Sequence, residues 1–320
     1  MIFKSSGRLA AAAATGREML SRLKRVIRGK VYPFHQKEGF RPFFIVGPPR
    51  SGNTLLRRLL QAGPDVHIPP ETYVLGDVIH QFERNAVLSW PQIVRMSLST
   101  FEYHPAFESF GLSLRPLAQR LNDLPEEKRS LAAVIDGLYR FHGESVGKSF
   151  VRWGDKTTEN YKCLEELLRV FPDALFIIIY RDGADSIVSL VKAGLQPDLQ
   201  TAAARWLESA VRIPKFTSRH TDICLEIRYE DLVRDAEKTV REVYGFLGLD
   251  FSPQLLQFLD VPSQMPDIQS SRYAHLQNVL NPVNEKSIGK GRESLTRDEK
   301  RFLQEKIGPE LALLKYPPLV

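Results

Sequence analysis

Two stretches of the chain carry almost no polar side chain: PFFIV at Pro42–Val46 and ALFIIIY at Ala174–Tyr180. Continuous apolar runs of this length, rather than alternating ones, are what a strand buried on both faces requires. A third segment, DICLEIRY at Asp222–Tyr229, is rich in strand formers. Between and after these runs the apolar positions recur at helical spacing. The pattern predicts helices over Asn53–Ala62 (stopped by Gly63-Pro64), Tyr161–Phe171 (stopped by Pro172), the stretch after RDGADS, Ala202–Ile213 and Ala236–Phe246. Strands alternating with helices predict an α/β fold, a central parallel sheet flanked by helices on both faces.

The rest of the pattern divides the chain. Residues 1–40 read as a basic N-terminal extension, with Met19, Leu20, Leu23, Val26 and Ile27 at helical spacing among many Lys and Arg and a single acid before residue 38, Glu18. Such a helix suits either packing on the domain or peripheral membrane contact. Residues 41–320 read as a single domain, with a helical region over 76–150 and a polar, turn-rich loop over 262–294. No apolar run approaches the ~18 residues of a membrane helix, and no secretory core is evident, so the expected setting is cytoplasmic.

Composition changes this picture little. Hydrophobic residues make up 43% and charged residues 26% of 320, ordinary values for a globular chain. The net charge of +6 suits a polyanionic ligand, but no zinc-finger or RNA-recognition spacing points to nucleic acid. The two cysteines, Cys163 and Cys224, form no CxxC pair, so neither a metal framework nor a disulfide scaffold is expected, and both read as buried thiols.

The chemistry concentrates after the first strand, in GPPRSGNTLL at Gly47–Leu56. Strand, glycine-containing turn and helix in that order form a phosphate-binding loop: backbone N–H groups and the positive helix end converge on an anion. Gly47 and Gly52 allow the tight turn, Ser51 and Thr54 offer hydroxyls, and Arg50 offers a planar cationic fork. A triphosphate-hydrolysing loop has lysine where this chain has Asn53, which disfavours ATP or GTP hydrolysis. A structural turn with a surface arginine is the plainer alternative.

This loop resembles the 5′-phosphosulfate loop of the sulfotransferases that use 3′-phosphoadenosine 5′-phosphosulfate (PAPS), with Asn53 in place of a hydroxyl residue. YRDGADSIVS resembles the family's 3′-phosphate site, an arginine at a strand end and a serine eight residues later, here Arg181 and Ser189. WGDKTTENY resembles the family's GDKTP segment, which implies that Lys156 points at the transferring group. IRYEDLV with its following helix resembles a segment whose Tyr229 approaches the adenine side. SIGKGRESLT resembles the closing C-terminal loop, which implies 3′-phosphate contacts from Lys290 and Arg292.

The resemblance implies PAPS as co-substrate, no metal, and a hydroxyl-bearing acceptor that is a glycan, lipid or small molecule. It also implies a general base. Glu71, in GPDVHIPPETYV and 21 residues after Arg50, fits the glutamate used by tyrosylprotein sulfotransferases and their broader relatives, at the point where the next strand is expected to begin. Cytosolic relatives use histidine, so His67 and His104 are rivals. Catalytic work would then fall to Glu71, Arg50 and Lys156, and cofactor binding to Arg50, Ser51, Gly52, Asn53, Thr54, Arg181, Ser189, Tyr229, Lys290 and Arg292. A nucleotide kinase or NTPase with a degenerate loop, and an inactive nucleotide-binding module, are the alternatives.

Overall fold

A computed structural model describes residues 31–36, 40–85, 87–253, 266–269 and 278–320. The amphipathic helix expected over Met19–Ile27 lies outside the described residues, as does much of 262–277.

Five parallel strands form the centre: β1 (Phe43–Val46), β2 (Val66–His67), β3 (Arg152–Asp155), β4 (Leu175–Tyr180) and β5 (Cys224–Arg228). Their order across the sheet is β2-β3-β1-β4-β5. Phe43 stands opposite Gly154 on one side and Leu175 on the other, and Ile178 of β4 stands opposite Glu226 of β5. The chain thus leaves β1 toward one edge and later returns to build the other half beside it. The crevice at the carboxyl ends of the strands, where the order reverses, is where such sheets bind ligands.

Side chains of β1 and β4 alternate between two cores, as a doubly covered sheet demands. Phe44, Val46, Phe176 and Ile178 enter one core, with the helices between residues 75 and 217 and the C-terminal helix. Phe43, Ile45, Ile177 and Ile179 enter the other, with α1 (Asn53–Gln61) and the helix Ala236–Leu247. The helical region is built from Leu75–Arg84, Trp90–Glu102, Arg115–Asn122 and Leu131–Ser145, joined by a 3-10 turn at Pro105–Phe110.

Two strands differ from expectation. No strand begins at Glu71; β2 precedes it and is only two residues long. RWGD, for which no strand was expected, is β3, and its Asp155 is almost wholly buried. The helix expected over Tyr161–Phe171 is shorter, Leu164–Val170, after a 3-10 turn over Thr158–Lys162. The helix expected over Ala202–Ile213 extends to Leu199–Thr217. Part of the expected C-terminal loop is helical, at Pro266–Gln269 and Lys290–Ser294. Cys163 is buried and Cys224 half-buried, and burial pushes both thiols up to about 12.

Candidate active site

The residues singled out in the sequence leave the sheet at one edge. Gly47–Thr54 follows β1, Lys156 follows β3, Arg181 follows β4 and Tyr229 follows β5, each directly. Glu71 lies four residues beyond β2. A cavity of about 980 Å³ opens there, lined by Arg50, Thr54, Glu71, Arg181, Ser189 and Tyr229 among others.

Local chemistry shapes the loop. Arg50 sits at φ 65° and Gly52 at φ 96°, both left-handed. A Cβ on Gly52 would lie 2.5 Å from Tyr229 Cδ2, so only glycine fits between the turn and that ring. The Asn53 side-chain amide donates to the Pro48 carbonyl at 3.3 Å, tying the helix start back to the turn. Asn53 therefore staples the loop with its side chain, and the residue also lines the cavity. α1 has no acidic residue in its first turn and no side-chain cap at Gly52, which leaves its positive end to an anion. Ser51 is fully buried and lies beneath the cavity surface.

Two arginines meet over the loop. Arg50 Nε donates to Ser189 Oγ at 3.1 Å, and Arg181 Nη1 donates to the Arg50 carbonyl at 3.2 Å. The Arg181 guanidinium stands 4.5 Å from the centre of the Tyr229 ring. Burial, and then the charge of Arg181, lower Arg50 to about 10, so it stays cationic at neutral pH. Two desolvated cations this close favour an anion between them. Arg181 Nε is buried without a hydrogen-bond partner among the described residues, and Arg181 Nη2 stands 3.8 Å from Asp185 Oδ2.

The C-terminal segment is latched to the same place. Arg181 Nη2 donates to the Ser287 carbonyl at 2.7 Å, and the Tyr229 hydroxyl meets Ser287 Oγ at 2.5 Å. Asp185, on the helix Gly183–Lys192, accepts from the backbone N–H of Gly289 and Gly291 at 2.8 and 2.6 Å. Lys290 lines the cavity, but Arg292 does not. The Arg292 guanidinium is committed to Asp182 at 2.7 Å and to the carbonyls of Pro317 and Pro318. Asp182 also caps its helix, accepting from Ala184 N–H and Asp185 N–H. Arg292 thus tethers the C-terminal tail and stands outside the cavity lining, where the resemblance implied a phosphate contact.

Glu71 forms an ion pair with Lys156, whose side chain is 2% exposed against 12% for Glu71. Lys156 does not itself line the cavity; it lies behind the carboxylate rather than pointing into the ligand space. The next residue, Thr72, fixes this arrangement. Its N–H donates to Thr157 Oγ1 at 3.1 Å and its hydroxyl to Asp155 Oδ2 at 3.3 Å. Asp155 in turn accepts from the Tyr139 hydroxyl, Asn160 Nδ2 and the Thr157 N–H at 2.5, 2.5 and 2.9 Å. Complete burial raises the Asp155 carboxyl, while these donors pull it back. The sequence reading missed Tyr139 and Asp155, although Asp155 stands inside the GDKT segment.

The rival histidines are placed elsewhere. His67 is 1% exposed and stacks on His142, with Nε2 and Nδ1 2.9 Å apart. His104 accepts from the Ala106 N–H and stacks on Tyr73 at 5.5 Å, outside the cavity lining. Among the described residues no cluster of three or more His, Cys, Asp or Glu is arranged to hold a metal, and no helix is long and apolar enough to cross a membrane.

Parallel strands around a lysine-free phosphate loop bring Arg50, Arg181 and Ser189 to one cavity at the carboxyl ends of the sheet. The comparisons give the class its name: a model of the Sulfotransferase family matches residues 42–253, and the chain belongs to that family. It is similar to protein-tyrosine sulfotransferase 1 of Danio rerio, 25% identical over 293 residues that span 89% of this chain and 75% of that one. Among solved structures it is similar to the sulfotransferase domain from the curacin biosynthetic pathway, with TM-score 0.57, 23% identity, and coverage of 87% and 98%. The sulfotransferase domain of the Synechococcus PCC 7002 olefin synthase gives TM-score 0.58, 20% identity, and coverage of 90% and 96%. The chain is therefore a transferase of sulfuryl groups with the α/β fold its sequence implied.

Proposed function

We propose that the protein transfers a sulfuryl group from PAPS to an acceptor hydroxyl, with Glu71 as the general base. The observation that carries the reading is that Glu71, Arg50, Arg181 and Ser189 line one cavity. The names of relatives such as protein-tyrosine sulfotransferase 1 support a hydroxyl-bearing acceptor.

When bound, PAPS supplies a sulfuryl group joined to a phosphate that departs. The residues that would hold it fit a nucleotide with phosphate at both ends of its ribose. The loop backbone and Thr54 serve one phosphate, Arg181, Ser189 and Lys290 the other, and Tyr229 faces the base side. Arg50 neutralises negative charge that grows on the reacting oxygens.

Glu71 accepts the proton of the acceptor hydroxyl at a carboxylate oxygen. Its pairing with Lys156 holds the carboxylate in place. As the proton arrives, the carboxylate loses its charge and Lys156 is left with an unbalanced ammonium beside the reaction centre. That charge then favours the negative charge accumulating on the transferred group. Asp155 and Thr72 act only through position, by keeping the Glu71 backbone fixed.

Fixed cations thus do the work that a metal ion does in phosphoryl transfer. Acceptor-dependent release of 3′,5′-adenosine bisphosphate from PAPS tests this. The proposal expects the same rate with and without EDTA; loss of turnover in EDTA would contradict it.

A further inference from the structure

The helix that follows the phosphate loop carries two consecutive arginines, Arg57 and Arg58, that the site described above does not use. They interrupt an otherwise apolar LLRRLL, and both are buried, at 2% and 3% exposure. A charged side chain is almost never buried this far unless it is paired. Consecutive residues on a helix point about 100° apart, so these two cannot serve one partner.

Arg57 turns to the segment that carries Glu71. Its Nε and Nη2 both donate to the Ile68 carbonyl, each at 3.2 Å, and its Nη1 donates to Asp267 Oδ2 at 2.5 Å. Between Ile68 and Glu71 stand only Pro69 and Pro70. Each proline fixes its own φ near about −65° and restricts the residue before it. The place of the Ile68 carbonyl is therefore carried through to Glu71. On the far side of Glu71, Thr72 is held by Thr157 and Asp155. Arg57 supplies the near anchor, and the segment bearing Glu71 is gripped at both ends.

Arg58 turns to a different segment. Its Nη1 donates to the carbonyls of Val279 and Asn281, both at 2.5 Å. Val279 and Asn281 line the cavity with Arg181 and Lys290, in the stretch that runs on to Ser287, whose carbonyl Arg181 holds. One short helix thus presents Asn53 and Thr54 to the cavity and anchors two of its other walls.

We infer that Arg57 and Arg58 are positioning residues with divided tasks. Arg57 sets Glu71 against the phosphate loop, and Arg58 sets the 278–291 segment against it. The inference rests on Glu71 being the base and on the loop holding PAPS. Neither arginine lines the cavity, so each acts only through the segment it holds.

Arg57→Met and Arg58→Met test the division with three readouts. These are amide hydrogen exchange, calorimetric affinity for 3′,5′-adenosine bisphosphate, and release of that bisphosphate from PAPS with water as the acceptor. Arg57→Met speeds exchange at Glu71, Thr72 and Tyr73 by about tenfold or more. It lowers kcat by about tenfold to a hundredfold, the cost of a misplaced catalytic group, and leaves bisphosphate affinity close to wild type. Arg58→Met does the reverse. Exchange rises over 278–288, affinity weakens by about tenfold, and kcat at saturating PAPS stays close to wild type.

Removing one partner of a buried ion pair is destabilising in itself, so Arg57→Met/Asp267→Asn, which removes both charges, is the control. It regains stability in urea while kcat stays low. Recovery of kcat along with stability would overturn the inference. So would unchanged exchange at Glu71 in Arg57→Met, or one profile shared by both arginine variants. Full turnover in Glu71→Gln would remove the base reading and the Arg57 assignment with it. Failure of the wild type to bind the bisphosphate would remove the cofactor reading and the Arg58 assignment.

Discussion

Arg50 of the phosphate loop donates through Nε to Ser189 Oγ on the helix Gly183–Lys192, across 139 residues of sequence. The family resemblance places these two side chains at opposite phosphates, but the structure joins them. Their shared hydrogen bond means that a ligand engaging one must re-orient or strengthen the other. Ser189→Ala should therefore weaken 3′,5′-adenosine bisphosphate binding about tenfold or more, the worth of a hydrogen bond to a charged group. Arg50→Ala should lower turnover by about two to three orders of magnitude, as removal of an oxyanion-stabilising donor does. The double variant should show less than the sum of the two losses, which a double-mutant cycle on binding reads directly.

Glu71→Gln keeps the size of the side chain and removes its basicity. Loss of a general base typically lowers kcat by about two to four orders of magnitude. Bisphosphate affinity should stay close to wild type, because Glu71 faces the acceptor side. Equal loss in affinity and in kcat would show that the carboxylate shapes the cofactor site instead.

The support beneath the base should be costly to remove. Asp155→Ala strands the buried Tyr139 hydroxyl, the Asn160 amide and the Thr157 N–H. Leaving such donors without partners costs about 1–3 kcal/mol for each group before relaxation. Urea denaturation should show a net loss of about 3 kcal/mol or more, with activity falling beyond what the remaining folded fraction accounts for.

The stacked pair His67 and His142 predicts an acid-side loss of stability. Burial first, then the charge of His142 and after it of Lys148 and Arg57, lowers His67 to about 3; burial and then Arg57 lower His142 to about 4, with Asp267 partly offsetting. Both rings are neutral in the folded chain at pH values where an unfolded histidine, near pKa ~6.5, already binds a proton. The unfolded state thus binds more protons as pH falls below about 6.5, and stability drops from there toward pH 4. His142→Phe should flatten this dependence in denaturation curves recorded at pH 7 and pH 5. An unchanged slope would mean that other groups carry the acid sensitivity.

How far the sequence could be read depended on how local each signal was. The loop at Gly47–Thr54 and the Arg181–Ser189 pair were legible because each is one strand, one turn and one helix in unbroken order. β1, β4 and β5 were legible from their apolar composition. β2 was not, because two residues carry no periodicity. β3 was hidden because RWGD contains two charged residues, one of which is buried with a partner as distant in the chain as Thr72.

Arg292 shows the same limit from the other direction. A basic, glycine-rich segment suggested a phosphate contact, but its partner is Asp182, 110 residues away. Lys156 was found by motif, yet its place behind Glu71 depends on the Asp155 and Thr72 contacts, which no local pattern reveals. Arg57 carried no signal at all, since neither its grip on the Ile68 carbonyl nor its pairing with Asp267 is written in neighbouring residues.

The central claim is that this loop and its arginines grip a nucleotide phosphorylated at both the 3′ and 5′ positions. Calorimetric titration of the purified chain with 3′,5′-adenosine bisphosphate, and separately with magnesium ATP, tests it most directly. The account predicts tight binding of the bisphosphate without magnesium, lost in Arg181→Ala, and weak binding of magnesium ATP. Preference for magnesium ATP, or bisphosphate binding that survives Arg181→Ala unchanged, would contradict it.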